Sequence, residues 1–199
     1  SFAYPAVRNN RFLDNELALR NDQFGSALVE GNLFQRNDTA IYNYRKSDPT
    51  IKNNQFKENR LVLFIDYSSY PQVKENNFVS NRKVAELGIY QSADWEKRSG
   101  SKPLMRQQAL DRKSRNPLLE QAPTEFSDRI DLSGNWWGSD TSRLQAAGED
   151  ANLELLHDRR DNPRVSYPGF GDESYQLDLI IYAPWLEQPV DGAGPQESP

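Results

Sequence analysis

A side chain that moves protons near neutral pH is the first requirement for most enzyme chemistry, and this chain has one histidine, His157, beside Asp158 and close to Arg160-Asp161. A single imidazole can act as a general base. No nucleophile or second base accompanies it, so His157 reads as a structural residue of the C-terminal part. The absence of Cys removes disulfides, thiolate metal sites and Cys nucleophiles at once. Asp158, Asp161, Asp172 and Glu173 are oxygen donors of the kind calcium takes, but they form no recognisable loop motif. Asp22 and Asp66 share a column two coils apart, about 9.6 Å by strand spacing, and read as a chance placement with Tyr44 between them. The sequence therefore calls for no catalytic residues, no metal and no cofactor.

What the chain offers instead is tyrosine. Tyr42, Tyr44, Tyr67, Tyr70 and Tyr90 recur at positions that a repeat brings together, and large amphipathic rings of this type stack on the apolar faces of sugars. They are the candidate carbohydrate-binding residues. The alternative is that they pack beneath an insertion at residues 92–127.

The elements that must position these rings come from an internal repeat. Val7-Arg8-Asn9-Asn10-Arg11-Phe12-Leu13-Asp14-Asn15 returns as Val29-Glu30-Gly31-Asn32-Leu33-Phe34-Gln35-Arg36-Asn37. Ile51, Asn54, Phe56 and Asn59 keep the same offsets, as do Val73, Asn76, Phe78 and Asn81. A coil of about 22 residues is too short for two packed helices and suits three short strands joined by turns. Successive coils then lie about 4.8 Å apart, so that equal positions form vertical columns.

Val7, Val29, Ile51 and Val73 form a β-branched inward column, and Phe12, Phe34, Phe56 and Phe78 an aromatic one. Asn10, Asn32, Asn54 and Asn76 make an amide ladder at one corner, with Asn15, Asn37, Asn59 and Asn81 at the next, where Asn tolerates turn dihedrals and bonds its equivalent one coil away. Leu19, Ile41, Leu63 and Ala85 point inward on the third strand. Charges alternate along Asp14, Arg36 and Glu58 and along Arg8, Glu30 and Lys52, which suits cross-strand pairing on a solvated face. Asn135 and Trp137 resume the first Asn column and the Phe column after the single insertion, and Asp140 falls in the second Asn column.

The repeat Asn-x-Phe-x-x-Asn, with Gly134-Asn135-Trp136-Trp137-Gly138 and Tyr182-Ala183-Pro184-Trp185-Leu186, resembles the right-handed parallel β-helix repeats of the pectate-lyase-like superfamily, including its carbohydrate-binding and sugar-hydrolase group. The resemblance covers about residues 1–95 and 128–186 and implies an all-β solenoid. It says little of activity, because the superfamily holds lyases, hydrolases, epimerases, adhesins and proteins without activity. The motifs of its enzymes are missing: there is no Asn-Thr-Asp with downstream Asp-Asp and His-Gly, no Asp-Pro-His, and no column offering several carboxylates with an Arg or Lys base.

The resulting organisation is regular β-helix coils at 1–91, a lateral insertion at 92–127 with a short helix at Ser101–Leu110, a last coil at 128–140, a C-terminal cap at 141–186 and a disordered tail at 187–199. The cap's strand at Leu177–Tyr182 is expected to cover the open edge of the last coil. A net charge of −5 argues against nucleic acid as partner, and no run approaches the roughly 20 apolar residues that membrane insertion needs. Ser1-Phe2-Ala3-Tyr4-Pro5 has no signal-peptide character, so a signal is either removed or lies upstream.

The expected role is that of a non-catalytic extracellular or envelope scaffold, periplasmic or at the surface, serving adhesion or assembly. The alternative is a carbohydrate-binding or polysaccharide-processing β-helix. Because the first coil begins partway round, its N-terminal face is expected to stack on upstream β-helix coils or on another protein subunit. A polysaccharide is the other expected partner.

Overall fold

Val-x-x-Asn-x-Phe-x-x-Asn leaves room only for short strands: an inward β-branched residue, a corner, an inward Phe and a second corner. The structure, a computed structural model that describes residues 3–99, 111, 127–166 and 173–196, folds the repeat in this way. Ala6–Arg8, Leu28–Glu30, Thr50–Lys52 and Gln72–Lys74 form the first parallel sheet. Arg11–Leu13, Leu33–Gln35, Gln55–Lys57 and Asn77–Val79 form the second, and Leu17–Asn21, Thr39–Asn43, Leu61–Ile65 and Lys83–Leu87 the third. Val7 pairs with Val29, Phe12 with Phe34 and Leu19 with Ile41, a register of one coil in each sheet.

The chain bends at single residues in the left-handed region. Asn9, Gly31, Asn53, Glu75 and Gly134 have φ of 59°, 65°, 53°, 57° and 67°, and Asp14, Arg36, Glu58 and Ser80 repeat this at the second corner. The left-handed residue is thus the one before the ladder Asn, not the Asn itself. This frees the Asn for hydrogen bonding. The backbone N–H and side-chain NH2 of Asn32 both donate to Asn54 Oδ1, at 2.9 and 3.0 Å, and the NH2 also reaches the Val7 and Glu30 carbonyls. The pattern begins at Asn10, repeats at Asn54 and Asn76 and ends on Asn135, while Asn15, Asn37 and Asn59 step in the same sense to Asn81.

The core lies along the axis. Val29, Ile51, Val73 and Leu132 stack in one column and Phe34, Phe56, Phe78 and Trp137 in another, all buried. Ring centroids along the second column, from Phe12 to Trp137, are 4.7, 5.0, 5.6 and 5.1 Å apart. At the first coil Val7, Phe12 and Leu19 are only half-buried, and Leu13 and Leu17 are exposed. Among the described residues nothing donates to Asn10 Oδ1 or Asn15 Oδ1, because each ladder amide accepts from the coil before it.

After Gln91 the chain leaves the solenoid through helix α1 (Ala93–Ser99). The helix expected at Ser101–Leu110 lies outside the described residues. The path resumes with Arg129–Asp131. Asp140, expected in the second Asn ladder, instead ends a 3-10 turn (Gly138–Asp140) and pairs with Arg143 of helix α2 (Thr141–Ala147), because the helical turn carries it off the corner. Leu156–His157 then adds a strand to the third sheet beside Ala85 and Glu86. Leu179–Ile181 pairs in parallel with Arg129–Asp131, so the C-terminal strand covers the last edge as a further partial coil. The tail expected to be disordered has, over residues 187–196, a defined path back along the first corner.

Candidate functional site: an aromatic face on the third sheet

Alternation on the third strands sends Leu19, Ile41, Leu63 and Ala85 inward, which leaves Arg20, Tyr42, Phe64 and Glu86 facing out in register. His157 stands next to Glu86 in this outward column. The Tyr42 and Phe64 rings stack at 4.6 Å with 17° between planes. Tyr44, just past the end of the Thr39–Asn43 strand, is tilted against Tyr42 at 5.7 Å and against Tyr67 at 5.7 Å. The Arg20 guanidinium lies 5.1 Å from the Tyr42 ring centre and 5.8 Å from that of Tyr44, held by Asp22 at 2.8 Å. Arg45 covers Tyr44 at 5.2 Å. A rigid sheet therefore presents a half-buried aromatic platform with cations at one end.

The five tyrosines separate into three environments. Tyr42 and Tyr44 lie at the end away from α1, beside the Arg20 and Arg45 guanidiniums. Tyr67 continues the face but meets Tyr90 at 5.4 Å and the edge of Trp95 from α1 at 5.4 Å, so this end packs against the helix. Tyr70 does not belong to the face: it is 6% exposed, and its hydroxyl donates to Asp178 Oδ2 at 3.0 Å. Burial and the Asp178 charge push the Tyr70 phenol far above its ordinary value. Phe64, Trp95 and Arg20 were missed from sequence, although Arg20, Tyr42 and Phe64 share one column at the repeat spacing.

The buried polar groups nearby hold backbone or dock α1. Asp66 accepts from the Tyr67 and Tyr90 N–H groups at 2.7 and 2.8 Å, and burial raises its carboxyl to about 6 against the pull of those bonds. A Cβ at Gly88 would lie 2.2 Å from Asp66 Cγ, so this close approach requires glycine. Asp66 is thus tied to backbone and Asp22 to Arg20. Asp178 accepts from Tyr70, Gln91 and the Ala93 N–H, and burial raises it to about 6. Lys46 and Glu96 form a buried ion pair at 2.9 Å, and Ser68 donates to the same carboxylate.

The candidate calcium ligands are also engaged. Asp158 accepts from Arg160 and the Ile180 N–H, Asp161 accepts from the Asp158 N–H, and Glu173 is held by Arg98 and Tyr175. Asp172 lies outside the described residues. His157 Nδ1 is 3.5 Å from Asp161 Oδ2. Among the described residues no three His, Cys, Asp or Glu side chains come together to hold a metal, and no helix is long and apolar enough to cross a membrane.

No curated protein and no solved structure matches the chain. Residues 3–109, a span that includes the repeat and the aromatic face, match a family model described as "Periplasmic copper-binding protein (NosD)", and since that span is more than half of its length the chain belongs to this periplasmic parallel β-helix family.

Proposed function

We propose that this chain is a non-catalytic periplasmic β-helix whose third sheet is a binding platform for glycans. The observation that carries the reading is the outward stack of Tyr42 on Phe64 with Tyr44 beside it, on strands fixed by the core columns. Rings held in this way lose little freedom when a sugar stacks on them, which is where flexible binding surfaces lose affinity. The reading predicts saturable binding of an oligosaccharide by titration calorimetry and about tenfold weaker binding in Tyr44→Ala, the loss of roughly one stacking contact. Arg11→Ala, on the second sheet, should bind as wild type. Equal affinity in Tyr44→Ala and wild type would refute the platform.

The family's description raises copper, and the donor set of this chain does not fit it. Copper sites draw on imidazole, thiolate and thioether ligands. The matched span holds no His and no Cys, its one Met is Met105, and His157 lies outside it. Inward positions of the coils are filled by the aliphatic and Phe columns, and the ladder amides bond one another. Equilibrium dialysis against Cu(I) and Cu(II) with a competing chelator should leave substoichiometric copper on the chain. One tightly held equivalent, lost in His157→Ala, would contradict this.

A further inference from the structure

The segment from Glu187 to Gln196 is rich in Pro and Gly and contains little that could drive folding. It nonetheless crosses the solenoid against the direction of winding, along the corner between the first and second sheets. Asn77, at the outward start of its strand, grips one residue of it twice: the Asn77 side-chain carbonyl accepts from the Val190 N–H at 2.8 Å, and its NH2 donates to the Val190 carbonyl at 3.1 Å. One coil back, the Gly194 N–H donates to the Asn53 carbonyl at 2.8 Å. At the first coil the Gln196 N–H donates to Asn9 Oδ1 at 2.6 Å.

Three coil steps of about 4.8 Å separate Asn77 from Asn9, and six residues, which span at most about 3.3 Å each, cover that distance with slack for the turn at Asp191-Gly192. The fit is closest at Gly194, which is buried. Its φ is 107°, and a Cβ there would lie 3.4 Å from Gln55 Oε1, while a Cβ on Gly31 would lie 3.6 Å from the Gly194 carbonyl. These contacts read backbone rather than side chains. A side-chain amide paired with both polar groups of one residue is a way to bind an extended peptide of almost any sequence.

We propose that this corner is a peptide-binding groove and that residues 187–196 are its intramolecular occupant, a latch that ties the last coil to the first. The latch is held by a few hydrogen bonds with little apolar burial, so it opens locally without unfolding the coils. Because all of its contacts lie within the short run from Val190 to Gln196, release at one point frees the rest.

Amide hydrogen exchange on the full chain tests this. In wild type the Val190, Gly194 and Gln196 amides should exchange at least about tenfold more slowly than in an unstructured peptide. Asn77→Ala touches only Val190, yet it should abolish protection at all three positions while the strand amides around Phe56 stay protected. Gly194→Val, which places a side chain at a left-handed φ, should do the same. Free-peptide exchange rates in wild type, or persistent protection of Gly194 and Gln196 in Asn77→Ala, would overturn the latch.

Discussion

Phe56→Ala is expected to lower the unfolding free energy by about 3–5 kcal/mol, the cost of emptying a core site that cannot collapse. Phe56 has no exposed surface and stands between Phe34 at 5.0 Å and Phe78 at 5.6 Å, so its removal breaks the aromatic column in the middle. The neighbours are fixed by strands paired on both sides and have little room to close the gap. Phe56→Leu should cost about 1–1.5 kcal/mol, because it keeps most of the volume. Urea denaturation of the three proteins measures both. A Phe56→Ala variant as stable as wild type would mean that the column is not the core.

Asn54→Ala should cost about 3 kcal/mol, far more than an exposed substitution. Its Oδ1 accepts from the Asn32 N–H and NH2, and its own NH2 donates to the Val29 and Lys52 carbonyls and to Asn76 Oδ1, all at 2.9–3.0 Å. Alanine leaves the buried Asn32 donors without an acceptor, and each orphaned group costs about 1–3 kcal/mol. Asn54→Asp separates polarity from shape. It retains the acceptor for Asn32 but turns oxygen lone pairs toward three acceptors, so it should also destabilise. Wild-type stability in either variant, measured by the same unfolding curves, would show that the ladder is geometric and not energetic.

The features legible in the sequence are those that repeat. Val, Phe and Asn recur at one spacing, and a parallel solenoid turns equal spacing into contact, so pattern and neighbourhood coincide for Val29, Phe34 and Asn32. The outward column was harder to see because its residue type changes at each coil: Arg20, Tyr42 and Phe64 share a position without sharing chemistry. Tyr70 was misplaced because proximity along the chain suggested a cluster, whereas the connection between Ile65 and Gln72 places its ring inward against Asp178.

Contacts that join the coils to the non-repeating parts leave no periodic trace. Lys46 meets Glu96, and Asp178 reaches Tyr70, Gln91 and Ala93, across separations that no local rule encodes. The tail misled for a different reason. Pro and Gly composition reports the absence of a packing side chain, but the groove at Asn77, Asn53 and Asn9 holds backbone, which every residue supplies. Asp140 shows the limit of register counting, since a helical turn immediately after Trp137 takes the chain off the corner.

Incubation of the wild-type chain with a panel of neutral and acidic polysaccharides, followed for both binding and turnover, tests the proposed role most directly. Saturable binding to at least one glycan is expected, with no new ultraviolet absorbance and no new reducing ends. Appearance of either product signal, or no binding to any member of the panel, would contradict it.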